Sequence, residues 1–365
     1  MANVEIKNPR FYCDLISSHI AKGVTQNGSF DVTATGGGFI GLQNGTEAEL
    51  FDNKPLNQVD FDTSGDTDGH VLITIDLQAS HRVNFVSILN HNMNSADAKV
   101  RIFAGNEASD ITAADGANAD TSDIDWSAVT ITEVVNADSR TAMSDNKSGI
   151  VVPAADGSTM FTFTNTNLRY WGIQFEGKIT EGSDTATDAL FDGSTDLKIG
   201  CIQIGCFYDM PHSPDMTLAR SVQYDQNKIL KSIGGQKYGL STAVGKYVSS
   251  TSKSPFLTTS TASDSFMGKI SYDFAFSYIQ DTDLLPAEYT DLTSLHTAST
   301  RTFIQDVWNV TLGNLLPFIF SVDNTSAGDD AESELIFARF DSDTLDMKQI
   351  AHKLYNIRLK ITEEF

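Results

Sequence analysis

The run FDTSGDTDG sets Asp62, Asp66 and Asp68 in one tight, glycine-flanked loop just ahead of an apolar stretch that begins at Val71. Oxygen donors at alternating positions suit Ca²⁺, which takes roughly six to eight oxygens. The run lacks the full loop of an EF-hand and its distal bidentate Glu, so a solvated acidic turn fits the same residues. A second set, Asp52, Asn53, His91, Asn92 and Asn94, with Trp126 in another polar loop, combines carboxylate, planar amide, imidazole and indole groups. These are the groups that sugar hydroxyls and ring faces require. His91 and Asn92 fit equally well as corner residues, because such side chains bond nearby backbone and Asn tolerates positive φ.

Other chemistry finds little footing. Gly36, Gly38 and Gly41 spell GxGxxG, and VDFD places acids about twenty residues further on. The fingerprint needs a helix after the loop, yet FIGLQNGTE offers a Gly and an Asn-Gly turn there, so a flexible turn is expected. No GxSxG, HExxH or P-loop occurs. Asp123 with Asp125, or Asp341 with Asp343, could be drawn as glycosidase carboxylates. In a chain with 48 acidic residues, such adjacent pairs arise by chance. No catalytic residue is therefore assigned, and no enzyme activity is expected. Cys13, Cys201 and Cys206 make no disulfide framework, and the last two flank the apolar run IQIG, as buried thiols do. The seven histidines lack ligand spacing.

The elements that would position these residues read as strands. Val71, Ile73, Ile75 and Leu77 alternate with polar or small neighbours, and Val83 to Leu89 repeats the pattern. Asn90, His91, Asn92, Asn94 and Ser95 form a corner, and Val100, Ile102 and Phe103 resume a strand. LRYWGIQFEG (168–177) and LKIGCIQIGCFYDMP (197–211) read as two further strands. ELFDNK (49–54) and ALFDGS (189–194) share Leu-Phe-Asp, a local echo in which Phe anchors a loop and Asp makes an Asx turn. Long polar loops, 108–125 and 180–187, interrupt this half. FYCDLISSHIAKG is a short helix or strand. Near the C-terminus, SYDFAFSYI alternates Tyr272, Phe274, Phe276 and Tyr278 on one face. Phe303, Val307 and Val310 follow at helical spacing, with Gly313 as a stop. PFIFSVD, ELIFARF and YNIRLKITEEF are three more strands.

Strand, LNHN corner, then AKVRIFAGN, with the two later strands, resembles the discoidin-like, galactose-binding-type jelly roll found in structural proteins of phage tails. The resemblance implies that a structural calcium sits near the Asp62 loop. The order of strand, acidic loop, helix, PFIF strand and two terminal strands resembles the β-sandwich-plus-helix unit of phage tail-tube and distal-tail proteins, which form hexameric rings. The domain order departs from the usual distal-tail arrangement, where the ring-forming domain comes first. That leaves the tail position open.

The chain is thus expected to be mainly β, a galactose-binding-like jelly roll followed by a second β-sandwich with one helix. Residues 1–30 would be a lead-in, 31–210 the jelly roll, 211–265 a connection with a hairpin, and 266–365 the second sandwich. A net charge of −23 over 365 residues argues against non-specific nucleic-acid binding. No secretory signal is read at the start, and no run of about eighteen apolar residues would insert in a membrane. The resemblance implies a non-enzymatic virion protein of a tail tip or baseplate, assembled in the host cytoplasm as a homo-oligomer of six or a multiple of three. Its partners would be other tail proteins and fibres. Tyr272, Phe274, Phe276, Tyr278, Trp308, Pro317, Phe318 and Phe320 are its candidate assembly surface. The competing expectation is a receptor-recognition protein that binds host glycan through the jelly-roll loops. No cofactor beyond the calcium is expected.

Overall fold

In a computed structural model of the chain, the residues described are 5–23, 30–31, 40–67, 69–108, 111, 131–137, 150–177, 190–223, 227–241, 247–248, 251–252, 256, 268–286, 301–328, 331 and 334–364. The fold is mainly β. Its principal sheet is built on β1 (Arg10–Asp14), β2 (Val71–His91), β3 (Ala98–Gly105), β4 (Ile150–Val151), β5 (Gly157–Gly177), β6 (Cys201–Asp209), β7 (Ala219–Gln223), β8 (Lys269–Gln280), β9 (Phe318–Ser321), β10 (Ile336–Phe340) and β11 (Leu354–Glu363). Their spatial order is β7-β8-β11-β10-β9-β1-β6-β2-β5-β3-β4, and the registered pairs are antiparallel.

Strands β2 and β5 each run 21 residues, far beyond the usual ~5–6. They stay long by bending. Their mutual register shifts between Asp76 and His81, Val83 and Phe85, and Ile88 and His91, and Gln78 takes a left-handed φ of 64°. Bulges of this kind turn a strand and add twist. As a result Val71, Ile73 and Ile75 from one end of β2 share a core with Val83, Val86 and Ile88 from the other. A second, three-stranded sheet, Leu42–Asn44, Val59–Phe61 and Leu197–Ile199, adds Val59, Phe61, Leu197 and Ile199 to that core. The N-terminal half is a jelly-roll β-sandwich.

The lead-in is structurally central. Phe11 to Asp14 are all buried, because β1 pairs with β6 on one side and β9 on the other. Phe11 and Cys13 face the main core, while Tyr12 faces a second cluster with Phe85, Leu89, Ile319 and Phe337. The two halves of the chain therefore share one sheet through β1. That strand ends at Asp14, whose carboxylate accepts from Ile16 N at 3.2 Å and Ser17 N at 2.9 Å and so caps α1 (Leu15–Ala21). Burial nonetheless pushes Asp14 up to about 6.

In the C-terminal half, Phe11, Phe274, Phe318, Phe320 and Phe340 pack tilted or stacked, with Phe274 and Phe320 stacked at 5.7 Å. The spacing of Phe303, Val307 and Val310 does give a helical segment, of π geometry over Ile304–Trp308 and α over Asn309–Thr311. It stops where Leu312 and Gly313 both turn left-handed.

This packing corrects the candidate assembly surface. Tyr272, Phe274, Phe276, Phe318 and Phe320 are at most 2% exposed. Pro317 is buried too, and Trp308 packs on Phe340 at 5.2 Å. The alternation marks the core-facing side of the strand, so these rings hold the half together and offer no outer contact. Tyr278 does not share their face. A register shift between Phe276 and Ile279, with a φ of 67° at Tyr278 itself, turns it out to 67% exposure.

Candidate ligand-binding rim

At one end of the jelly roll the loops around residues 52–58, 62–67, 90–97, 156, 192–200 and Gln203 are tied together by side-chain bonds. The segment TEAEL starts the first of them as a 3₁₀ turn, Glu47–Phe51, with a capping box in which Thr46 N donates to Glu49 Oε2 at 2.8 Å. Phe51 is buried, and Asp52 Oδ1 accepts from Lys54 N at 2.8 Å. The echo holds at Phe191 and Asp192: the ring is buried, and Asp192 Oδ1 accepts from Ser194 N at 2.9 Å. Hydroxyl and amide donors, Ser194 first, hold the Asp192 carboxyl below its ordinary range.

The polar corner after β2 is held from within. Asn90, at a φ of 53°, donates from Nδ2 to Pro55 O at 2.7 Å. His91 is 2% exposed. Met93 N donates to its Nδ1 at 3.1 Å, which leaves Nε2 to donate to Thr159 Oγ1 at 2.8 Å. Thr159 Oγ1 in turn donates to Asn136 O at 3.0 Å. Burial pushes His91 down to about 4. Asn92 mimics a strand partner: its Nδ2 donates to Asp196 O and its Oδ1 accepts from Lys198 N, at 2.8 and 2.6 Å. Asn53 Oδ1 accepts from Gln203 Nε2 at 2.9 Å. Asn94 is half-buried, and its carbonyl accepts from Asp97 N at 3.3 Å.

Five of the six sugar candidates thus meet on one rim, yet His91, Asn92 and Asn53 are engaged in holding it. The sixth, Trp126, lies outside the described residues. The exposed groups of the rim are Lys54, Asn57, Gln58 and Ser95, with Asp52 and Asp192 half-buried among them; of these, Gln58 Nε2 donates to Asn90 O at 2.9 Å and Ser95 Oγ donates to Asp156. Sequence reasoning missed Asn57, Gln58 and Ser95 as outward groups, because nothing local says which polar side of a loop faces solvent.

Of the calcium set, two members fall within the described residues. Asp62 is exposed, the carbonyl of Asp66 accepts from Gly69 N at 3.2 Å, and Asp68 lies outside the description. No group of three or more His, Cys, Asp or Glu among the described residues is placed to hold a metal. Ser64 donates from N and Oγ to Asp196 Oδ1 at 2.9 and 2.6 Å, which holds that carboxyl low. Gly36, Gly38, Asp123 and Asp125, and nearly all of the loops 108–125 and 180–187, also lie outside. Asp341, drawn above with Asp343, is paired with Lys360 and accepts from Thr362 Oγ1 at 2.7 Å.

A buried charge cluster lies elsewhere, where the two halves meet. Asp306, on the helical segment, accepts from Arg82 Nη2 at 3.1 and 2.9 Å and from Arg301 Nε at 2.9 Å. Both guanidinium groups also reach Cys206 Sγ, at 3.3 and 3.1 Å. A cavity of about 20 Å³, lined by Cys13, His81, Arg82, Cys206, Gln305 and Asp306 among others, adjoins this cluster. That volume holds about one water molecule, not a ligand.

No family model matches the chain, and no curated protein does. Among solved structures it is similar to chitosan-binding module 1 derived from a chitosanase/glucanase of Paenibacillus sp. IK-5, at 17% identity, over 49% of this chain and 97% of that one, with a TM-score of 0.26. It is also similar to truncated AlyQ with CBM32 and alginate lyase domains, at 15% identity, over 69% of this chain and 48% of that one, with a TM-score of 0.24. Neither is described as a tail protein. The fold stands on strand order and register, and these likenesses add nothing to it.

Proposed function

We propose that this chain is a non-enzymatic attachment protein: the jelly-roll rim recognises a hydroxyl-rich ligand, a glycan, and the C-terminal half fixes the protein in a larger assembly. The observation that carries the reading is the rim itself. Loops far apart in sequence are bonded into one surface whose outward groups are amides, carboxylates, hydroxyls and one ammonium. Such groups exchange hydrogen bonds with sugar hydroxyls without a deep pocket. Because half-buried Asn side chains and the buried His91 brace the loops, the outward groups are pre-positioned and little ordering entropy is lost on binding.

The assembly we assign is a phage virion, as part of a tail tip or baseplate, where the chain would carry fibres or join neighbouring tail proteins. What favours an assembly role is the sheet shared between the halves, together with the exposed apolar strands taken up below. Saturation-transfer NMR against pooled oligosaccharides tests the recognition part, and immunogold labelling of purified particles tests the placement. Ligand signals that vanish in the Lys54→Ala/Asn57→Ala variant are expected. Transfer that persists unchanged in that variant would move the ligand off the rim.

A further inference from the structure

Strand β7, the outermost of the sheet on the C-terminal side, is exposed along its whole length and, among the described residues, pairs only with β8. Beyond it the chain forms a hairpin, Asn227–Lys231 with Lys237–Ser241, that pairs with no other strand among the described residues. Its tip is well formed: Gly235 N donates to Ser232 O at 2.9 Å, Ser232 N to Gln236 O at 2.8 Å, and Gly235 supplies the positive φ. Leu230 stands directly across from Tyr238 on one face, and Ile229 points to the other. Ile229, Leu230 and Tyr238 are 68%, 62% and 55% exposed, and Ile233 at the tip is fully in solvent. A two-stranded hairpin with both apolar faces wet is marginal by itself.

Charge says what covers it. Residues 218–253 hold six of the 25 Lys and Arg and one of the 48 Asp and Glu, a net +5 against −28 for the rest of the chain. A basic, apolar arm on a strongly acidic protein is complementary to that protein's own surface. A matching edge exists. Strand Met347–Ala351 is exposed throughout and, among the described residues, pairs only with β11; it shows Met347 and Ile350 with Lys348 between them, and the exposed Asp343 and Asp346 lie just ahead of it. This strand and β7 lie on opposite flanks of the β8–β11 pair. A contact between arm and edge therefore runs most directly from one copy to the next.

We propose that residues 227–241 form an arm that docks on the Met347–Ala351 edge of a second copy of this chain. The contact joins two different surfaces, so it is heterologous and either closes into a ring or extends. The proposal deepens the assembly part of the function above and is independent of the rim's ligand, which a single copy can bind.

Sedimentation velocity of the full chain over a wide concentration range tests it, at about 0.05 and about 0.5 M NaCl, between which the Debye length shrinks about threefold. Association at low salt that weakens at high salt is expected. The exposed variants Lys231→Glu/Lys237→Glu and Asp343→Lys/Asp346→Lys should each weaken association by about tenfold or more, since like charges then face one another. Mixing the two variants should restore it, with unchanged circular dichroism for each. A wild-type chain that stays monomeric at low salt overturns the proposal. So do variants that associate like wild type, or a mixture that fails to recover.

Discussion

Replacing Asp306 by Asn removes the carboxylate that holds Arg82 of the jelly roll and Arg301 of the C-terminal half at one buried point. The Arg82 and Asp306 side chains are 9% and 7% exposed, so water cannot take over the lost charge. Breaking a buried pair from one side costs about 3–5 kcal/mol, chiefly because the remaining ion is left uncompensated. Asn keeps an amide oxygen in place, which sets the expected loss at the lower end, about 3 kcal/mol. Unfolding entropy of about 2.1 cal/mol/K per residue gives about 0.8 kcal/mol/K for 365 residues, if the shared sheet makes the halves melt together. The melting temperature should then fall by about 4 °C. Differential scanning calorimetry reads this directly, with Asp341→Asn as control. That side chain pairs with Lys360 at the surface, where an ion pair is worth about 0–1 kcal/mol. An Asp306→Asn shift no larger than the control, or two separated transitions in the wild type, would refute the reasoning.

Other expectations follow from burial. Burial pushes the Cys13 and Cys201 thiols well above their ordinary range and raises Cys206 despite the nearby guanidinium groups. Ellman's reagent should therefore label none of the three quickly in the folded chain and all three in urea; fast labelling of the native protein would contradict the packing around β1. His91, at about 4 folded against roughly 6.5 unfolded, takes up its proton more readily in the unfolded chain. Its contribution is complete above about pH 6.5 and is lost as pH falls toward 4, by about 3 kcal/mol. Asp14, raised to about 6, acts in the opposite sense, since the folded chain keeps a proton the unfolded one has lost. An NMR titration should find the His91 ring neutral at about pH 5, and a midpoint near 6.5 would show the corner to be open. Gly200→Ala would set a Cβ 1.9 Å from Pro55 O and 2.9 Å from Leu89 O. Both are backbone atoms, so the rim loop must move, at a cost of about 1–3 kcal/mol. Equal denaturant midpoints for this variant and wild type would count against the close approach.

Much of this fold is legible as local pattern. Alternation locates the two ends of β2 and strand β8, apolar runs locate the second half of β5 and strands β9 to β11, and helical spacing with a glycine stop locates the Ile304–Thr311 segment. What local pattern misses is pairing at long range. RFYCD reads as a lead-in because nothing nearby shows that Cys13 sits opposite Cys206 and Phe11 opposite Phe320. The Arg82–Asp306 pair spans 224 residues and is likewise invisible. The short mixed run MKQIA (347–351) hides an edge strand, since a strand exposed on both faces has no apolar period. At the rim, residue type placed Asp52, Asn53, His91, Asn92 and Asn94 together. Only the bonds show which of them are spent on structure, and Tyr278 leaves its aromatic row because a bulge re-aims it.

The most direct test of the account is calorimetric titration of the full chain with the best oligosaccharide from a glycan array, run in parallel on wild type, Lys54→Ala/Asn57→Ala and His91→Gln. Saturable binding by wild type is expected, with a loss of about tenfold or more in the outward pair. His91→Gln should lose stability before affinity, because that ring faces inward. Absence of binding to any glycan on the array, or binding that survives removal of Lys54 and Asn57, would contradict the central claim.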